Sequence, residues 1–190
     1  MTDAINLTMS GLTAQPRYGV VARILHWTIA ILILCAVALG LTTASLNSGP
    51  TQDLLFAIHK SVGLSILLFM CLRALWRATH PAPGLPAAMP AWQRWAAHAT
   101  HGLLYVVAIV LPVSGYVAVA ARGRETLFLG LWSVPRWVPL DRSLAHTAET
   151  VHVVNQYVLY ALVLGHVGAA LYHRFVVRDD ILQRMWSLRA

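Results

Sequence analysis

Charge is what this sequence lacks. Only 11% of its 190 residues are Asp, Glu, Lys or Arg, seven of them acids, and lysine occurs once, at position 60. With 58% hydrophobic residues and four apolar stretches of roughly the ~20 residues that a bilayer core requires, the chain reads as one polytopic membrane domain. Cysteine is nearly absent too. Cys35 and Cys71 fall in the first two apolar stretches at different depths, which argues against a disulfide and leaves them as packing residues. No C-x-x-C-H is present through which a haem could be attached covalently. No internal repeat stands out. Residues 1–16 lack the charged start and apolar run of a cleaved signal, so they read as a short disordered cytoplasmic tail.

The formal charge of +7 does not indicate nucleic acid, because the bases sit at the ends of apolar runs and form no stripe. Topology accounts for them. With the N-terminus in the cytoplasm, nine arginines from Arg17 to Arg189 gather on that side, against Lys60, Arg122, Arg124, Arg136 and Arg142 outside.

Histidine is what the apolar stretches do contain. Residues 151–173 form a run of spanning length that carries His152, His166 and His173 and no acid or base. His152 and His166, fourteen residues apart, project from nearly the same helix face about 21 Å apart along the axis. Imidazole nitrogens inside hydrocarbon are costly unless satisfied, so each is either a functional group or a ring hydrogen-bonded to a neighbouring helix.

Taken in order, span one covers about 20–45 with His26 near the cytoplasmic side, and span two begins near 54 with His59 and Lys60 near the outer side. Residues 79–90 form a proline-rich cytoplasmic linker that leaves His80 exposed. Span three runs from about 92 to 121, opens with His98 and His101, and is expected to kink at Pro112. The stretch 122–148 is too apolar for an ordinary loop and too broken by Pro135 and Pro139 for a span, so it is expected to lie on the outer face as interfacial helical turns, with Trp132 and Trp137 at headgroup level. Span four follows, and basic residues close the chain inside, with 185–190 as a basic C-terminal tail. The expected fold is all-α: a transmembrane four-helix bundle, up-down-up-down, over residues 17–184, with both termini cytoplasmic.

Depths counted from the span ends match His59 with His152 near the outer surface and His26 with His166 about four turns deeper. Two imidazole pairs at two depths, in a bundle with Gly40, Gly63, Gly115, Gly165 and Gly168 to allow close packing around something flat, suggest two haems, each with two histidine ligands. Zinc would want a tetrahedral cluster, and only His98 and His101 come close, without a carboxylate. His98 or His101 could also replace His26 opposite His166; otherwise they hydrogen-bond haem propionates or line a quinone entry, with Arg23 and Arg94 as charge partners.

The segments R-I-L-H-W at 23–27, H-K-S-x-G at 59–63, A-H-x-x-H opening span three, L-P-V-S-G at 111–115 and the two histidines fourteen apart resemble the bacterial cytochrome b561 family of four-span dihaem proteins over about 17–184. The resemblance implies two non-covalent b haems in the bacterial inner membrane, ligated by His26, His59, His152 and His166, with ubiquinone as electron acceptor and a quinone-side role for His173. It further implies a superoxide:ubiquinone oxidoreductase activity that takes electrons on the periplasmic side. Lys60 and Arg122, each bordering a span end near the outer haem, are the residues placed to steer superoxide; against this, Asp53, Glu125, Asp141 and Glu149 nearly balance the outer bases, and loop arginines often meet lipid phosphate. His173 lies about 10 Å beyond His166 on the same face, either at a quinone headgroup or bonded to water or a haem propionate. Two other classes stay open: an electron-transfer subunit for a separate dehydrogenase, hydrogenase or periplasmic redox protein, and a histidine-lined proton or metal transporter without haem.

Overall fold

The computed structural model describes residues 17–86 and 88–186. Four long helices, α1 (Val20–Ser45), α2 (Pro50–Thr79), α3 (Ala91–Ala121) and α4 (Arg142–Tyr172), are each apolar and long enough to cross a membrane. The bundle is therefore the expected one, with two differences at its edges. Helix α2 starts four residues before Leu54, because Pro50 sits at the first helical position, where its missing N–H costs nothing. Helix α4 starts at Arg142, well before the apolar run. The Asp141 carboxylate accepts the Ser143 and Leu144 N–H groups at 2.7 and 3.0 Å and so caps a polar first turn that hydropathy alone does not mark. Pro112 lies within α3 as expected.

The interfacial helical turns expected over 122–148 do not form. The segment instead makes a short antiparallel hairpin, β1 (Leu127–Phe128) against β2 (Trp132–Ser133), in which Leu127 pairs with Ser133 and Phe128 with Trp132. Three residues, Leu129 to Leu131, join the strands: φ is positive at Leu129 (54°) and Gly130 (70°), as in a mirror-image turn that matches strand twist, and the Leu131 N–H donates to the Phe128 carbonyl at 3.1 Å. A leucine in that region costs on the order of 1–2 kcal/mol. Ser61 on α2 offsets it: its Oγ accepts the Leu129 N–H at 3.1 Å and approaches the Leu127 carbonyl oxygen at 3.3 Å. Lys60 donates to the Glu125 carbonyl, and Tyr116 on α3 donates to the Pro135 carbonyl while accepting the Trp137 N–H. The hairpin is thus pinned on α2 and α3 at one end of the bundle, called the hairpin end below.

The opposite end, the tail end, is closed by the chain after α4. A π-helical turn over His173–Val177 leads to Arg178 in the left-handed region (φ 62°) and then to the short helix α5 (Gln183–Trp186). Trp27 Nε1 donates to the Met185 carbonyl at 2.9 Å and its ring meets Trp186 edge to face. Buried Arg184 donates to the Gly84 carbonyl in the proline-rich linker. The basic tail expected from 185 thus begins inside this strap; residues 187–190 and the expected tail over 1–16 lie outside the described residues.

Backbones approach most closely between sequence neighbours, α1 with α2, α2 with α3 and above all α3 with α4, as an up-and-down bundle requires. The core is thin: Ile29, Ile66, Met70 and Ala108 form one cluster, Val107, Leu111 and Leu159 another. Leu34, Leu68 and Leu164 remain exposed on the outer faces, where lipid is the natural solvent. Cys35 and Cys71 lie on those faces too, unpaired, and not in the packing role expected of them.

Candidate functional site

At the hairpin end, α2 carries His59 and α4 carries His152 into the bundle, with ring centroids 6.2 Å apart and planes at 77°. Each ring is held from behind. His59 Nδ1 is 3.1 Å from the Ala36 carbonyl oxygen of α1, and His152 Nδ1 is 2.8 Å from the Leu111 carbonyl oxygen of α3. A carbonyl only accepts, so both rings carry hydrogen on Nδ1 and leave Nε2 bare, the arrangement in which imidazole serves as a metal ligand. Glycines make room for it. A Cβ at Gly115 would sit 3.1 Å from His152 Cε1 and Nδ1, and one at Gly40 would sit 3.3 Å from His59 Cε1. Of the other glycines expected to serve close packing, a Cβ at Gly63 would lie 3.9 Å from Pro112, whereas one at Gly165 or Gly168 would meet open space.

The pair stands in a cleft with about 570 Å³ of atom-free space, part of it open to the surroundings, walled by Ile33, Val37, Ile66, Leu111 and Leu159 among others. A metal held by one nitrogen of each ring at ~2.0 Å, with each nitrogen ~1.1 Å from its own ring centre, would set the centroids ~6.2 Å apart. The observed 6.2 Å fits. The donor set also fits haem and not structural zinc, because among the described residues no three His, Cys, Asp or Glu side chains converge.

At the tail end, His26 of α1 and His166 of α4 repeat the same spacing, 6.2 Å between centroids at 72°. His101 of α3 is nearer to His166, at 5.2 Å and 78°. The two neighbours differ in what holds them. His101 Nδ1 lies 2.6 Å from the Ala97 carbonyl oxygen one turn earlier, which leaves its Nε2 bare. His26 Nδ1 instead accepts from Arg73 Nη1 at 2.9 Å, so the neutral ring carries hydrogen on Nε2 until Arg73 turns to another acceptor. In ring spacing His26 matches the hairpin-end pair, whereas in its hydrogen bonding, with Nε2 bare, His101 does. Arg23, one turn before His26, is buried, and its Nε and Nη1 have no partner. A buried guanidinium with unmet donors suits an anionic group such as a carboxylate.

The remaining candidates sit around these pairs. Lys60, half-buried beside His59, spends one donor on the Glu125 carbonyl and lies 5.3 Å from the centre of the Phe56 ring. Arg122 forms an ion pair with Glu149, which cancels much of its charge. His98 is exposed at the start of α3. His173, only 13% exposed in its side chain, closes α4 with Nδ1 2.6 Å from Asp179 Oδ2. His80 is exposed as expected, stacked on Trp76. Three groups escaped the sequence reading: Arg73 and Tyr105, whose hydroxyl accepts from Arg73 Nε at 2.9 Å, and Asp179. Arg73 was visible as a base inside the apolar run LLFMCLRALW but reads there as a topology mark.

A family model described as prokaryotic cytochrome b561 matches residues 17–188. The chain is 32% identical to cytochrome b561 homolog 2 of Escherichia coli strain K12 over 185 residues, 93% of this chain and 95% of that protein. It is 28% identical to cytochrome b561 homolog 1 of the same strain over 166 residues, 87% and 94% of the two chains. Against a protein of Yersinia pestis described as probable superoxide oxidase CybB it is 27% identical over 161 residues, 85% and 90% of the two.

Proposed function

Because the chain belongs to the prokaryotic cytochrome b561 family, and so is a haem b-binding electron-transfer protein crossing the bacterial inner membrane several times, we propose that it oxidises superoxide on the periplasmic side and reduces ubiquinone. The observation that carries this reading is the matched pair of cross-bundle imidazole spans, both 6.2 Å, set at two depths along one membrane-length helix. His59 with His152, and His26 with His166, would each hold one non-covalent haem b, two per chain. When bound, haem b supplies one-electron chemistry, and an iron with two imidazole ligands keeps no vacant position for dioxygen. Two superoxide anions each lose one electron to become dioxygen, and one quinone takes both electrons and two protons to become quinol.

The protein's own residues organise this. The hairpin end faces the periplasm, and Lys60 draws the small anion toward His59; Arg122, neutralised by Glu149, contributes less. Arg23 and Arg73 would meet the propionate carboxylates at the tail end, with His98 and His101 beside the quinone entry. His173 holds a quinone oxygen and hands it a proton drawn from the cytoplasm. The curated likeness to a probable superoxide oxidase supports the choice of donor.

Mixing the purified protein with superoxide in a stopped-flow spectrometer, with no partner protein present, tests this reading: the reduced haem bands should rise within the mixing experiment. If they rise only after a dehydrogenase or periplasmic cytochrome is added, the chain is a subunit serving that partner. Lys60→Glu should slow reduction by superoxide about 10-fold at low ionic strength and flatten its salt dependence, while a neutral chemical donor still reduces at the parent rate. Equal slowing with both donors would trace the effect to a damaged haem site, and unchanged salt dependence would remove Lys60 from the entry path.

A further inference from the structure

The chain reverses immediately after α4, and the reversal brings an acid onto His173. The π-helical turn His173–Val177 ends at Arg178, whose left-handed conformation folds the backbone so that the N–H groups of both Arg178 and Asp179 donate to the His173 carbonyl. Six residues on in sequence, Asp179 then reaches the histidine it follows: Oδ2 lies 2.6 Å from His173 Nδ1, while Oδ1 accepts the Ile181 N–H at 3.1 Å. Both side chains are mostly shielded, 13% and 26% exposed. A π turn is rare and tends to mark functional positions, and a non-glycine residue at positive φ needs a reason. Asp179 does not touch the imidazole pairs described above, and neither the spans nor the hairpin need it.

We infer, resting on the quinone role of His173 proposed above, that Asp179 is a positioning residue that fixes the tautomer and orientation of His173 for proton delivery to the quinone. A carboxylate on Nδ1–H holds hydrogen there and leaves Nε2 as the exchanging nitrogen. The proton balance follows. As a quinone gains two electrons, its two oxygens take up two protons; one leaves His173 Nε2, the ring returns to its neutral form with hydrogen retained on Nδ1 against Asp179, and cytoplasmic water reprotonates Nε2. Solvent supplies the second proton.

Asparagine at 179 separates this role from a structural one. Its Oδ1 still accepts the Ile181 N–H, so the turn is kept, but its amide presents N–H to Nδ1 and forces hydrogen onto Nε2. The haem-loaded parent, Asp179→Asn, His173→Ala and the double variant are compared by reoxidation of the pre-reduced protein with a short-chain ubiquinone. Histidine ¹⁵N shifts, assigned to residue 173 by their loss in His173→Ala, report the tautomer independently of activity. Asp179→Asn is expected to keep both haems and their spectra, to lower kcat ~10–100-fold with little change in the quinone KM, to move the hydrogen to Nε2, and to add nothing on top of His173→Ala. Parent-rate reoxidation in Asp179→Asn beside slow reoxidation in His173→Ala would leave the quinone role of His173 standing and overturn the role of Asp179 alone. So would unshifted ¹⁵N signals in Asp179→Asn. Parent-rate reoxidation in His173→Ala would overturn both.

Discussion

His152→Ala is expected to bring the haem content of the purified protein from two per chain to one and to abolish its reduction by superoxide. The ring it removes is the better fixed of the hairpin-end pair, held by the Leu111 carbonyl at 2.8 Å and seated over Gly115, where a Cβ would lie only 3.1 Å from the ring. No other described histidine is paired with His59 by a ring contact, so nothing replaces it. The lost ring also leaves a hole of its own shape, and added imidazole is expected to restore the second haem. Pyridine haemochrome quantitation against protein concentration measures both. Retention of two haems with an unchanged spectrum would reject His59 and His152 as a ligand pair, whereas loss of both haems without rescue by imidazole would mark a collapsed bundle.

The second large effect is expected at the other level. His26→Ala should remove the tail-end haem, while His101→Ala should keep both haems and shift only the spectrum or potential of one. The 6.2 Å between His26 and His166 accommodates a metal in line, and the 5.2 Å between His101 and His166 is about 1 Å too short for it. The opposing consideration is Arg73, which occupies His26 Nδ1 at 2.9 Å. An arginine so placed has an easy alternative, since a propionate carboxylate is a stronger acceptor than a neutral imidazole. If His101→Ala loses a haem and His26→Ala does not, His101 is the ligand and the Arg73 contact on His26 persists in the loaded protein.

How far the sequence reaches can be followed residue by residue. The four paired histidines are legible because imidazole in an apolar run is conspicuous and because helix rise converts sequence spacing into depth; no neighbour has to be known. Helix α1 is legible for the same reason, with Gly19 and Leu46 marking its ends where the run stops. The hairpin is not. Its turn places Leu129, not Asn or Asp, at the first left-handed position, and what makes that tolerable is Ser61, nearly seventy positions away. Arg122 illustrates a subtler loss: its charge is plain in the sequence, but its pairing with Glu149 across α3 and α4 is tertiary. Asp179 is hidden twice, since it meets His173 only through a π turn and a left-handed arginine that no local pattern announces.

The unbroken run of α4 from Arg142 to Tyr172 bears on how this chain can change length over descent. One residue inserted between His152 and His166 would turn everything after it by about 100° and slide it by about 1.5 Å, carrying the lower imidazole away from its partner while the upper one stayed in place. Insertions and deletions in that interval are therefore lethal to the pairing unless they come in whole turns, and even then the two depths would separate. The hairpin segment tolerates them more readily, because its ends are tied to other helices and its tip is exposed. The π turn after Tyr172 is a third case: with one residue more per hydrogen-bonded ring than an α-helix, it has the form that a single inserted codon leaves behind when a helix absorbs it.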